Sequence, residues 1–112
     1  MLRMVSAAVA LAAAFQLATI GAASAADPAA GAKVFAICKA CHQVGEKAKN
    51  GLGPVLNGVV GRPSGSFEGF KYSDAMKGAG LTWDAATLDE YLKDPKAKVP
   101  GNKMAYAGLK DD

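Results

Sequence analysis

Two thiols three residues apart with an imidazole directly after them, Cys38-Lys39-Ala40-Cys41-His42, constrain this chain more than any other stretch. The pattern is the attachment signature of c-type haem. On a helix, positions i, i+3 and i+4 share one face, so all three side chains can meet one flat porphyrin. The thiols would form thioethers with the vinyl groups, and His42 would bind the iron. No other Cys or His occurs in the chain, so no second metal site can be built from those residues.

The N-terminus sets what remains to be folded. Arg3 makes a short positive start, Val5 to Ala22 is an uncharged Ala-rich run, and Ala23-Ser24-Ala25 fits the small-x-small cleavage rule ahead of Asp27-Pro28. Residues 1–26 therefore read as a signal peptide, cut after Ala25 or Ala26, and the product as exported to the periplasm. The run approaches the length of a membrane span, so an uncut leader would be an anchor. Cutting after Ala26 leaves 86 residues, one domain over 27–112. A chain that small is marginal without a staple, and covalent haem would be one. A disulfide between Cys38 and Cys41 would close too small a loop to stabilise much.

Charge is unevenly placed. Beyond the leader, 12 Lys+Arg face 10 Asp+Glu, yet residues 31–54 and 93–110 hold nine Lys against Glu46 and Asp94. The positive excess sits in the two stretches that carry the candidate iron ligands.

Asp27-Pro28 reads as N-cap and first helical residue. Ala30, Val34, Ile37, Cys38 and Cys41 recur at helical spacing, predicting an amphipathic helix that runs into the haem motif. Residues 43–69 are rich in Gly and turn formers and read as loop, with no alternation for a strand. Ser73 caps a short helix ending at Gly78. Asp84 opens a clearer one, with Ala85, Leu88, Tyr91 and Leu92 on one face and Pro95 stopping it. Residues 96–112 read as loop again. The fold class is all-α, a small haem-wrapped protein whose long loops are tolerable because they enclose something.

Haem iron has a second axial position, which needs a soft or nitrogenous ligand. Beyond the leader the thioethers are Met76 and Met104. Met76 lies inside the short helix and reads as a core gap-filler. Met104 lies in a loop shaped by Pro100-Gly101, which can reach the far side of a plate, and is the better candidate. A Met/His pair raises the reduction potential relative to bis-His and leaves no open site for oxygen chemistry. That describes an electron carrier, not an enzyme. Trp83 and the tyrosines can hydrogen-bond haem propionates or serve as plain core. A thiol–disulfide oxidoreductase would need strands around the motif, and a closed zinc site would lack ligands. A haem enzyme or dehydrogenase subunit with a labile sixth ligand, peroxidase-like, is the alternative function.

Further motifs follow in order: Gly53-Pro54-x-Leu56-x-Gly58, Gly61-Arg62, Gly69-Phe70-x-Tyr72-Ser73-x-Ala75, Leu81-Thr82-Trp83, Leu88-x-x-Tyr91-Leu92 and Pro100-Gly101-x-Lys103-Met104. With the haem motif they span Gly31 to Lys110, and in them the chain resembles the class I cytochromes c, within them the mitochondrial-like bacterial cytochromes c2. The resemblance implies one covalent haem c, thioethers from Cys38 and Cys41, and axial ligands His42 and Met104. It implies that the Pro54 carbonyl accepts the other imidazole N–H. It also implies that Arg62, Tyr72 and Trp83 hold a propionate, that Tyr91 lies beside the Met sulfur, and that Asn102 can donate to the same propionate. Met76 stands where mitochondrial members often carry a polar Asn. The family ends in an amphipathic helix that crosses the N-terminal one. Here the sequence stops at Asp111-Asp112, where that helix would begin, so it reads as a fragment in preference to a protein truncated before its C-terminal helix. A chain truly ending there is expected to expose part of the 27–43 face and Leu92. The implied partners are acidic docking faces of membrane redox complexes, a cytochrome bc-type donor and an oxidase or photosynthetic reaction centre as acceptor. A monomer with no nucleic-acid partner is expected.

Overall fold

Helix starts in this protein are made by side chains that take up the free N–H groups of a first turn. The computed structural model describes residues 26–110, and the predicted leader lies outside them up to Ala25. Asp27 caps α1 (Pro28–Phe35), its carboxylate accepting from the Ala29 and Ala30 N–H groups at 3.0 and 3.3 Å. Ser73 accepts from Met76 N–H at 3.0 Å and opens α2 (Asp74–Lys77), which closes at Gly78. Asp84 accepts from Thr87 N–H at 2.7 Å at the head of α3 (Ala85–Lys93). Asp94 accepts from Ala97 N–H at 3.2 Å and starts α4 (Pro95–Lys98). The described residues are helical with long loops and one isolated antiparallel bridge, Pro63 to Thr82. The all-α expectation holds.

Two boundaries differ from the sequence reading. α1 does not run into the haem motif: beyond Lys33 the backbone bonds change to i+3 spacing, and Cys38–Ala40 form a 3₁₀ turn. Three residues per turn eclipse i and i+3, which aligns Cys38 with Cys41. The His42 N–H then bonds back to the Cys38 carbonyl at 2.9 Å. One shared face is thus reached through a tighter turn than an α-helix. Pro95 also starts a helix as well as stopping one. Proline at a first helical position gives up an N–H that would be unpaired anyway, and Asp94 closes α3 while capping α4.

α3 and α4 pack together, and Trp83, Tyr91 and Val99 form the buried centre beside them. The Trp83 and Tyr91 rings meet at 4.9 Å with a 53° tilt. The loop at 61–64 is pinned to this centre: Gly61 N–H donates to Trp83 O at 2.7 Å, Trp83 N–H to Arg62 O at 2.9 Å, and Ser64 N–H to Leu81 O at 2.7 Å. No residue of α1 is buried, and Ile37 is 66% and Leu92 36% exposed. So few buried side chains cannot by themselves offset backbone ordering at about 1–2 kcal/mol per residue. The apolar interior is organised round a cavity instead. No helix among the described residues is long and apolar enough to cross a membrane.

Candidate functional site

Segments remote in sequence converge on one cavity of about 750 Å³. Its size falls within the roughly 300–1,000 Å³ of small-molecule and cofactor sites. All ten residues singled out from the sequence line it: Cys38, Cys41, His42, Pro54, Arg62, Tyr72, Trp83, Tyr91, Asn102 and Met104. Met76 lines it too, so the cavity wall holds both thioethers.

The 3₁₀ turn presents Cys38 and Cys41, and the next residue is locked by the loop that follows. His42 Nδ1 lies 2.8 Å from the Pro54 carbonyl oxygen. A carbonyl can only accept, so Nδ1 carries the proton and Nε2 keeps a lone pair for a metal. Gly53 makes this approach possible. A Cβ there would stand 2.5 Å from His42 Cε1 and 2.8 Å from Nδ1. The Gly53 N–H also donates to the Cys41 carbonyl at 2.9 Å, tying the loop to the motif.

Met104 also lines the cavity, and its backbone is held by Asn102. Asn102 Oδ1 accepts from Met104 N–H at 2.9 Å, while Asn102 Nδ2 donates to the Pro95 and Val99 carbonyls, each at 2.9 Å. The amide hydrogens expected to reach a propionate are committed to the loop. Burial pushes the Tyr91 hydroxyl up to about 12, so it stays a neutral donor at physiological pH.

Arg62 carries the polar end of the cavity. Its terminal nitrogens donate to Asn57 O and Val55 O, both at 3.1 Å, and its guanidinium lies 4.9 Å from the Phe67 ring centroid. Its Nε is a buried donor with no acceptor among the described residues, an exception that calls for an explanation. A carboxylate at that edge would satisfy it. Tyr72 accepts from Phe67 N–H at 3.0 Å and keeps its own hydroxyl hydrogen to donate. Two thiols, a tautomer-fixed imidazole, a thioether, apolar walls and an unpaired buried donor fit a porphyrin with carboxylate side chains.

Residues that motif reading passed over complete the wall. Leu52 and Val59 line the cavity without any periodic pattern that could have marked them.

Fold and site together define a helical protein whose Cys-x-x-Cys-His turn faces a cavity suited to haem. The family model described as Cytochrome c matches residues 28–112, and the chain belongs to the cytochrome c family. It is 62% identical over 88 residues to the cytochrome c2 of Rhodomicrobium vannielii, covering 79% of this chain and 70% of that protein. With the cytochrome c2 of Blastochloris viridis it shares 54% over 95 residues, 85% of this chain and 75% of the relative. The solved structure of cytochrome cH from Methylobacterium extorquens superposes with a TM-score of 0.72 at 54% identity, covering 77% of this chain and 86% of that one. These matches make the chain a cytochrome of the c2 type, an electron carrier rather than an enzyme, with covalent haem c as its cofactor and redox complexes as its partners.

Proposed function

We propose that this carrier works in the periplasm after loss of residues 1–26, with His42 and Met104 as axial ligands and Cys38 and Cys41 as thioether anchors. The observation that carries the ligand assignment is the 2.8 Å contact from His42 Nδ1 to Pro54 O. It fixes the tautomer that leaves Nε2 free and raises the basicity of that nitrogen. Both thioethers pack against the Trp83 cluster, and Met104 is favoured over Met76 because it stands in a loop whose backbone Asn102 holds, whereas Met76 is fixed within α2. When bound, haem supplies a single one-electron couple at its iron. Everything else is the work of the chain: Arg62, Tyr72 and Trp83 receive the propionate end, and the apolar walls exclude water.

Export follows from the leader pattern. Membrane complexes, a cytochrome bc-type donor and an oxidase or reaction-centre acceptor, are proposed as the partners. Lys71 and Lys103 line the cavity, and Lys39 and Lys47, with the opposing charge of Glu46, line an outer depression beside His42. The positive excess near the site would steer it onto acidic faces.

The absorption spectrum tests the ligands. Met104→Ala is expected to abolish the Met–iron charge-transfer band of the oxidised protein and let the reduced protein bind carbon monoxide, while Met76→Leu keeps the band. The reverse pattern would transfer the sixth position to Met76.

A further inference from the structure

The Pro54 carbonyl that accepts the His42 proton and the Val55 N–H are the two ends of one peptide group. The second end is also engaged: Val55 N–H donates to Asn50 Oδ1 at 2.9 Å. Asn50 is itself fixed from the other side, Nδ2 donating to the Glu68 carbonyl at 3.2 Å. Three hydrogen bonds therefore run in series, from Asn50 Nδ2 to Glu68 O, from Val55 N–H to Asn50 Oδ1, and from His42 Nδ1 to Pro54 O. Val55 is 3% exposed, so water does not compete freely for its N–H.

We infer that Asn50 is a positioning residue for His42, acting through the Pro54–Val55 peptide. Hydrogen bonds in such a chain polarise one another. Accepting from Val55 N–H shifts electron density toward Pro54 O, which then holds the His42 proton more tightly and leaves the imidazole a stronger donor at Nε2. The same bond sets the tilt of the peptide plane and so the direction in which the carbonyl meets the ring. Arg62 steadies the next carbonyl, donating to Val55 O at 3.1 Å. This role rests on His42 being the iron ligand.

Asn50→Ala and Asn50→Asp in the holoprotein separate positioning from a merely structural tie. The readouts are the chemical shift and solvent exchange of the His42 Nδ1 proton by NMR and the reduction potential. With Asn50→Ala the proton is expected to exchange about tenfold faster, the scale of one hydrogen bond, its resonance to move upfield, and the potential to rise. Asn50→Asp gives up the Nδ2 bond to Glu68 O, but a carboxylate accepts from Val55 N–H more strongly than an amide, so with that bond kept the resonance moves downfield and the potential falls. Displacement of both variants in one direction would overturn the proposal. So would a lowered potential in Asn50→Asp with an unmoved Nδ1 resonance, since the field of the new charge alone does that. If Asn50→Ala does not hold haem, the sign of the Asn50→Asp resonance shift still decides. Ring-current shifts of the His42 ring protons in the parent read the ligand assignment separately. Their absence would sink that assignment, while the Nδ1 response to the two variants would still decide whether Asn50 acts on His42.

Discussion

At the scale of single residues, the site depends on one close approach, and the helix α3 beside it on one capping carboxylate. Gly53 lies against the imidazole, and a Cβ at that position would stand 2.9 Å from His42 Nε2 as well as closer to Cε1. Gly53→Ala is expected to displace the ring from Pro54 and to cost roughly 1–3 kcal/mol, the range for overpacking a filled site. Denaturation midpoints and the absorption spectrum of the holoprotein measure both effects, and an unchanged pair would mean that the loop accommodates the Cβ and the ring stays in place. Asp84 has a different signature. Its carboxyl is held below its ordinary value of 3.8, first by the backbone hydrogen bond from Thr87. A depressed carboxyl contributes stability that is complete above 3.8 and is lost as pH falls through the lower folded value. Asp84→Asn, which can still cap, should therefore unfold less steeply with acid as pH falls below 3.8. Melting temperatures of the two proteins across that window check it.

At the scale of elements, the helix starts were readable because capping is local. Asp27, Ser73 and Asp84 each satisfy an N–H two or three residues on, and no distant contact is needed to see it. The start of α4 carried the same Asp-Pro signal as α1, yet reading Pro95 only as a stop hid it. The haem motif departed from an α-helix because local periodicity cannot register a change from i+4 to i+3 bonding. Asn102 shows the opposite limit. Its residue type suggested a donor to the haem, but the turn after α4 folds two carbonyls onto its amide. Asn102→Ala removes those bonds and the one to Met104 N–H, at about 1 kcal/mol for each bond. Faster binding of added cyanide or imidazole to the oxidised protein is the expected consequence. An unchanged rate would mean that the Met104 loop holds its place without Asn102.

At the scale of the whole molecule, the described residues bury few side chains and line a large cavity, which a haem would fill in place of a core of the protein's own. Lys39, Lys47, Lys71 and Lys103 lie near the openings of the site. Ion steering of this kind is screened beyond about 8 Å at physiological salt. The rate of electron exchange with a membrane partner should therefore fall steeply as ionic strength rises. A rate that ignores salt would remove the docking role from these lysines.

The amino-acid sequence by itself pointed to the attachment chemistry and determined the all-α class and most helix starts, because each is written within five residues or so of itself. Tertiary structure alone decided that Gly53 must be bare, that Arg62 keeps a buried donor unpaired, that Asn102 serves the loop, and that Asn50 and His42 share a peptide. Those facts join residues on different loops, and loop-to-loop hydrogen bonds leave no periodicity in a chain for a reader to find.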